Sequence, residues 1–263
     1  MGRGPAASGD ADLSGESVTI VVPCFDEVGR LDVVALRQLA TAMAGRVLLV
    51  DDGSQDGTGE MATDAAARHP HELGTLVLGR NGGKGEAVRR GMLTALADGA
   101  ELTGYYDADL ATPPAEMVRL VEVLRQDPGL VAVLGSRVAL LGHRIERSLV
   151  RHYLGRLFAT ASSQVLGLPV YDTQCGAKVF RDGPALRAAL ATPFTSRWAF
   201  DVELLGRLGA GGDGGFLEVP LGQWHDVGGS KLRPRDAVTA AADLLRVRRA
   251  LRHHSPNRDP NNC

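Results

Sequence analysis

From Val18 onward the chain alternates short runs of β-branched and aliphatic residues with segments of helical length, and this alternation limits the possible folds more than any other feature. Val18-Thr19-Ile20-Val21-Val22, closed by Pro23, reads as a buried strand. Arg46 to Val50 follows, ended by Asp51-Asp52-Gly53-Ser54; then come Thr75 to Leu78, and Leu102 to Tyr106 running into Asp107. Between them Leu31 to Ala44, Gly57 to Arg68 and Gly85 to Ala97 carry apolar residues at helical spacing. Strands that are apolar throughout are buried on both faces, and strand and helix alternating at this pitch predict βαβ units around a mostly parallel sheet. With 263 residues, 44% of them hydrophobic, the chain is long enough for one α/β domain, at most with a small subdomain.

The flanks read differently. Met1 to Glu16 is rich in Gly, Ala, Ser and Asp without the apolar core of a secretory signal, so residues 1–16 are expected to be a disordered tail. Residues 253–263 are expected to be a flexible tail, leaving 17–252 as the domain. No apolar run reaches the length of about 18 residues that a membrane span needs. Lys+Arg 29 against Asp+Glu 31 gives a formal charge of -2, which excludes a global attraction to nucleic acid. Cys24, Cys175 and Cys263 form neither a disulfide framework nor a zinc pattern and point to a reducing, cytoplasmic compartment.

Ligands of open α/β sheets bind beyond the carboxyl ends of the strands. Those positions hold Cys24-Phe25-Asp26-Glu27, Asp51-Asp52-Gly53-Ser54, Asn81-Gly82-Gly83-Lys84-Gly85 and Asp107-Ala108-Asp109. Singly, each also reads as a turn, a helix cap or a plain connection. Together they put acidic groups and one basic glycine loop on a single rim. Residues i and i+2 of an extended segment point the same way, so Asp107 and Asp109 can offer two carboxylates to one hard cation, Mg²⁺ or Mn²⁺ rather than zinc. Such an ion completes its shell with water and substrate phosphates, which points to a nucleoside diphosphate. The glycine loop allows close backbone approach, with Lys84 as a point charge. It fits neither G-x-x-x-x-G-K-[ST] nor G-x-G-x-x-G, so kinase and dinucleotide readings lose ground.

Val21 to Glu27, Val50 to Thr58, Asn81 to Gly85 and Asp107-Ala108-Asp109 resemble the successive signatures of the family 2 inverting glycosyltransferases. Gly135-Ser136-Arg137, Asp172 to Phe180, Arg197 to Leu205 and Gly229 to Leu232 resemble their dolichyl-phosphate glucosyltransferase branch and its polyprenyl-phosphate relatives. The resemblance, which runs from about Val18 to about Arg249, implies a GT-A fold: an α/β domain with a Rossmann-like, mostly parallel central sheet flanked by helices. Its nucleotide-binding half would span about 17–110 and its acceptor half about 111–252. Pro23, Cys24, Phe25, Glu27, Asp51 and Asp52 would then line the nucleotide pocket, with Asp52 at the base and Glu27 near the ribose. Lys84 would sit by the phosphates, Asp107 and Asp109 would form the D-x-D pair, and Asp109 would hold the metal most directly. Arg137 would meet the acceptor phosphate, with Lys178 and Lys231 as further cations. Asp201 and Glu203 would lie near the reaction centre, Asp201 carried as catalytic, and His225 is a candidate third metal ligand. Two departures stand out: Phe25-Asp26 replaces Tyr-Asn, and Asp109-Leu110-Ala111-Thr112 lacks the Gln of phosphomannose synthases, which leans toward the glucosyl branch.

The activity so implied is transfer of a hexose, glucose from UDP-glucose, onto a polyprenyl phosphate, by a single inverting displacement at the inner face of a membrane. A soluble acceptor, GDP-mannose as donor, a nucleotidyltransferase and a non-catalytic binder are the alternatives. For membrane contact the sequence offers Asp236 to Arg252, either an interfacial amphipathic helix ending in Arg246, Arg248, Arg249 and Arg252 or a packed terminal helix with a basic last turn, and the segment from Leu140 to Leu168.

Overall fold

The computed structural model describes residues 15–138, 140–145, 149–210, 215–225 and 234–254. In chain order the elements are β1 (Val18–Cys24), α1 (Val33–Ala42), β2 (Arg46–Asp51), α2 (Thr58–Arg68), β3 (Leu73–Val77), α3 (Lys84–Ala97), β4 (Leu102–Tyr106), α4 (Pro114–Gln126) and β5 (Leu130–Ser136). They continue with β6 (Arg144–Ile145), α5 (Leu149–Leu166), β7 (Ala177–Arg181), α6 (Pro184–Leu190), α7 (Phe200–Ala210), β8 (Gly215–Pro220), β9 (Gln223–Trp224) and α8 (Pro234–His254).

The described residues form a seven-stranded sheet in the order β3-β2-β1-β4-β7-β5-β8, and β6 and β9 pair separately. β3, β2, β1 and β4 are parallel neighbours, as expected of βαβ units. β7 enters antiparallel between β4 and β5, and β5 pairs parallel with β8. Alternate residues of the strands feed two layers. Ile20, Val22 and Leu49 face Leu36 and Leu39 of α1, Ala62 of α2 and Leu120 of α4. Val21 and Val50 face Val88 and Met92 of α3, with Leu204 and Leu205 of α7 on the same side. β1 runs on through Pro23, two residues past its last pair with β4, so the missing N–H has no β4 partner there to serve.

β4 and β7 approach closely at Gly104. A Cβ on Gly104 would lie 2.1 Å from the Lys178 carbonyl oxygen, so only glycine lets the two backbones pair. At the start of the domain, Arg181 pairs with Glu16 and Arg125 Nη2 donates to the Glu16 carbonyl at 3.0 Å, which ties the chain down at residue 16.

Helix α8 settles between the two readings of its pattern. Leu244 and Val247 are buried, and Leu251 lies so close to α7 that a Cβ on Gly206 would stand 2.4 Å from its Cδ1. Ser196 Oγ donates to Asp243 Oδ2 at 2.8 Å and fixes the helix beside the start of α7. Leu244, Val247 and Leu251 are therefore spent on protein packing, as in the packed-helix reading, while the side chains of residues 234–241 lie outside the described residues. Leu245, Arg248, Arg249 and Arg252 remain exposed. In the other membrane candidate, the side chains of residues 149–157 lie outside the described residues. No helix among the described residues is long and apolar enough to cross a membrane.

Gly104→Ala is expected to cost about 3 kcal/mol, because backbone rather than a movable side chain blocks the added methyl. Urea unfolding should show a lower midpoint at unchanged slope; an unshifted midpoint would mean that β4 and β7 can separate freely.

Candidate active site

The acidic end of β4 is built on tight backbone geometry. Asp107 N donates to the Gly176 carbonyl at 2.9 Å. A Cβ on Gly176 would fall 1.9 Å from Asp107 Oδ2, so glycine makes the room in which this carboxylate stands. The chain then turns sharply. Leu110 adopts a φ of 53°, a left-handed conformation unfavourable for a bulky residue, and Ala111 N donates to Asp109 Oδ1 at 3.1 Å. Strain of this kind persists where surrounding structure enforces it, here where it aims Asp109 at the rim. Tyr106 donates to the Thr112 carbonyl beneath.

The nucleotide side consists of the loops after β1 and β2. Phe25 is exposed beside half-buried Pro23, and buried Cys24 ends the strand. Asp26, also left-handed, receives the Gln55 N–H at 3.1 Å and donates its own to Ser54 Oγ at 2.9 Å, lacing the two loops together. Glu27 pairs with Arg30. Asp51 and Asp52 are both buried. Asp51 accepts the Ser54 N–H and abuts Gly59 of α2. Asp52 Oδ1 accepts the Gly82 N–H at 2.8 Å and Oδ2 the Gly83 N–H at 2.7 Å. This carboxylate, expected at the base, thus grips the glycine loop with both oxygens, and the loop turns these two amides inward. Burial, helped by Glu27 and Asp51, pushes the Cys24 thiol up to about 12, and burial first pushes Cys175 up to about 11. Both stay protonated and unreactive.

Cations close the site from the other direction. Lys84, the first residue of α3, places Nζ 2.5 Å from Asp107 Oδ1. Burial works against its charge, but Asp107, with Asp201 and Asp109 behind it, wins and holds its pKa above the usual lysine value. Arg137, just after β5, donates Nε and Nη2 to Asp172 at 2.7 and 2.8 Å, and its guanidinium lies 5.5 Å over the Trp224 ring. Asp172 is itself placed by Glu218, which accepts the N–H groups of Tyr171 and Asp172 at 2.7 and 2.6 Å. Against burial, this pairing keeps Arg137 firmly charged and leaves its Nη1 edge clear of Asp172.

The remaining expected residues separate into distinct jobs. Asp201 is buried; desolvation raises its pKa, while Lys178 and Lys84 pull it back. Glu203 is committed elsewhere: it pairs with buried Arg207 and accepts from Thr195, bracing α7. Lys178 is fully buried, donates to the Cys175 carbonyl and lies 5.1 Å over the Tyr105 ring. Burial lowers its pKa, and its ammonium is held at the Cys175 carbonyl rather than presented at the surface, where the sequence expectation had it as a further cation for the acceptor. Lys231 lies outside the described residues.

The donor set at Asp107 and Asp109 fits a hard divalent cation. It is all oxygen, it repels itself, and the absence of a side chain at Gly176 gives the Asp107 carboxylate its place. His225 stands just beyond β9, its N–H donating to the Ala111 carbonyl at 2.9 Å. Among the described residues, however, no three His, Cys, Asp or Glu side chains form a ready ligand set, so His225 does not complete one. The carboxylates would be the protein's share, with ligand oxygens and water filling the rest. Sequence reasoning missed two contributors, Asp172 behind Arg137 and Arg197 over the glycine loop. Their motifs were visible, but the partners lie 35 and 116 residues away.

A doubly wound sheet carrying carboxylates, a glycine loop and paired cations on one rim is the frame of a glycosyltransferase. Residues 19–185 match Glycosyl transferase family 2, and the chain belongs to that family. It is 35% identical over 245 residues to a dolichyl-phosphate beta-glucosyltransferase of Drosophila melanogaster, covering 82% of this chain and 69% of that one. It is 31% identical over 259 residues to the Homo sapiens dolichyl-phosphate beta-glucosyltransferase, covering 90% and 76%. The crystal structure of mannosyl-3-phosphoglycerate synthase from Rubrobacter xylanophilus superposes with a TM-score of 0.56 at 19% identity, over 96% of this chain and 82% of that one, and shares the GT-A fold.

Burial, then the charge of Asp107, raises the Asp109 carboxyl above its ordinary 3.8. The folded state therefore favours the protonated form, a contribution present in full below about pH 4 and lost as pH rises through the folded-state value. Asp109→Asn is expected to unfold at a higher temperature than the parent at pH 7, the gap closing toward pH 4. A gap independent of pH would contradict this.

Proposed function

We propose that this chain transfers a glucosyl group from UDP-glucose to a polyprenyl phosphate, with inversion at the anomeric carbon. One observation carries the reading: Arg137, locked on Asp172 just after β5, stands on the same sheet edge as Asp107, just after β4. A site for an incoming anion thus adjoins a site for a leaving diphosphate. The dolichyl-phosphate beta-glucosyltransferases among its relatives support the choice of sugar and acceptor.

A phosphate monoester has its second pKa near 6, so at neutral pH the nucleophile is already an oxyanion and needs no general base. Arg137 orients that oxygen and offsets its repulsion from the donor diphosphate. One C–O bond forms at the anomeric carbon as the bond to the diphosphate breaks, and the nucleoside diphosphate departs with the electron pair. Lys84 neutralises part of its charge. Asp107 and Asp109 would hold Mg²⁺ or Mn²⁺, which would supply further charge stabilisation to the leaving group. Buried Asp201, electrostatically coupled to Lys178 and Lys84, would serve the sugar hydroxyls. Such an acceptor lies in a bilayer, so the chain works at a membrane surface, on the cytoplasmic side, and the exposed Arg248, Arg249 and Arg252 suit anionic headgroups.

Purified protein with Mg²⁺ or Mn²⁺, a panel of nucleotide sugars and a short polyprenyl phosphate in detergent should yield a hexosyl-phosphate lipid from UDP-glucose, identified by mass. Asp109→Asn should lower the rate by about 10²-fold or more, and Arg137→Ala should raise the acceptor KM by about tenfold. Product from GDP-mannose alone would overturn the donor, transfer without lipid phosphate the acceptor, and a retained anomer the single displacement.

A further inference from the structure

The glycine loop has a basic companion outside the D-x-D pair. Arg197, from the segment before α7, reaches across to the loop after β3, where its Nη2 donates to Asn81 Oδ1. Its guanidinium rests on Gly83: a Cβ there would lie 2.5 Å from Nε, and Gly83 has a φ of 91° that itself favours glycine. Arg197 is exposed, and among the described residues it forms no ion pair. A charged side chain lying on a glycine with only a neutral amide as partner is an unspent cation.

The loop needs one. Phosphate-binding glycine loops ordinarily cradle the anion with backbone N–H groups. Here the amides of Gly82 and Gly83 are both occupied by buried Asp52, so they have nothing left for a phosphate. Lys84 is a compact point charge already drawn to Asp107. With the loop amides taken, further charge for the two phosphoryl groups, beyond Lys84 and a cation at Asp107 and Asp109, comes from side chains beside the loop, and Arg197 rests on Gly83, one residue before Lys84. A planar guanidinium also matches phosphate oxygens two at a time.

We infer that Arg197 is a second diphosphate-binding cation of the donor site, gripping the donor from the α7 side of the loop while Lys84 grips it from α3. This deepens the proposed function and rests on its nucleotide-sugar reading. Because Arg197 leads directly into the helix carrying Asp201, donor occupancy also fixes the entrance of α7.

The experiment is calorimetric titration of the full chain with UDP and with UMP, with Mg²⁺ present throughout. Arg197→Ala should weaken UDP binding about tenfold and UMP binding by less than about twofold, because only the diphosphate spans both cations. Arg197→Lys should recover part of the loss. Asn81→Ala removes the hydrogen bond but keeps the cation, and should preserve the preference for UDP over UMP. An unchanged preference in Arg197→Ala would overturn the inference. So would an equal loss of preference in Asn81→Ala, which would reduce Arg197 to a latch on the loop. A wild-type chain that binds neither UDP nor GDP would instead sink the donor reading itself, and the inference with it.

Discussion

Everything in this site depends on how closely β7 can lie against β4. Gly104 faces the Lys178 carbonyl and Gly176 faces the Asp107 carboxylate, with no room for a methyl at either point. That double approach sews the antiparallel β7 onto β4, the last of the run of parallel strands. It brings Asp107 and, through the neighbouring β5 end, Arg137 to one rim. The antiparallel insertion is the physical reason that residues about 70 apart in sequence share one electrostatic environment.

Within that rim, charges are sorted by what holds them. Arg137 is fixed by a bidentate carboxylate that is itself fixed by Glu218, so its direction is set before any ligand arrives. Lys84 and Asp107 neutralise one another at the mouth, where a ligand can compete for either. Lys178 and Asp201 are buried, and desolvation drives both toward their neutral forms, tempered by their mutual attraction. Rigid, exchangeable and buried charges thus lie side by side, which suits a reaction that brings two anions together and releases one.

The parallel half of the fold was open to reading in the sequence because its strands are unbroken apolar runs, each punctuated by Pro, Asp or Gly. The loops that follow them carry the carboxylates and the glycine stretch, so the rim is legible in the sequence. β7 was not legible: Lys178 sits in the middle of its short apolar run, and a fully buried lysine imitates a surface residue. The partition of Asp201 from Glu203 was equally hidden, since it turns on Arg207, which claims Glu203 one helical turn later. At Asp52 the pattern shows only that a carboxylate is present, not that two distant amides meet both its oxygens. For α8 the periodicity did not show that Leu244 is buried and Leu245 exposed, nor whether protein or lipid covers the apolar face.

The fit between Gly176 and Asp107 also governs how such a chain can drift over generations. While the carboxylate is needed, position 176 admits no side chain, so the glycine is protected by a residue 69 places away rather than by any duty of its own. A lineage that abandoned the chemistry and shortened Asp107 would release both sites together. Paired relaxation at these two positions would therefore mark descendants that kept the architecture and retired from catalysis.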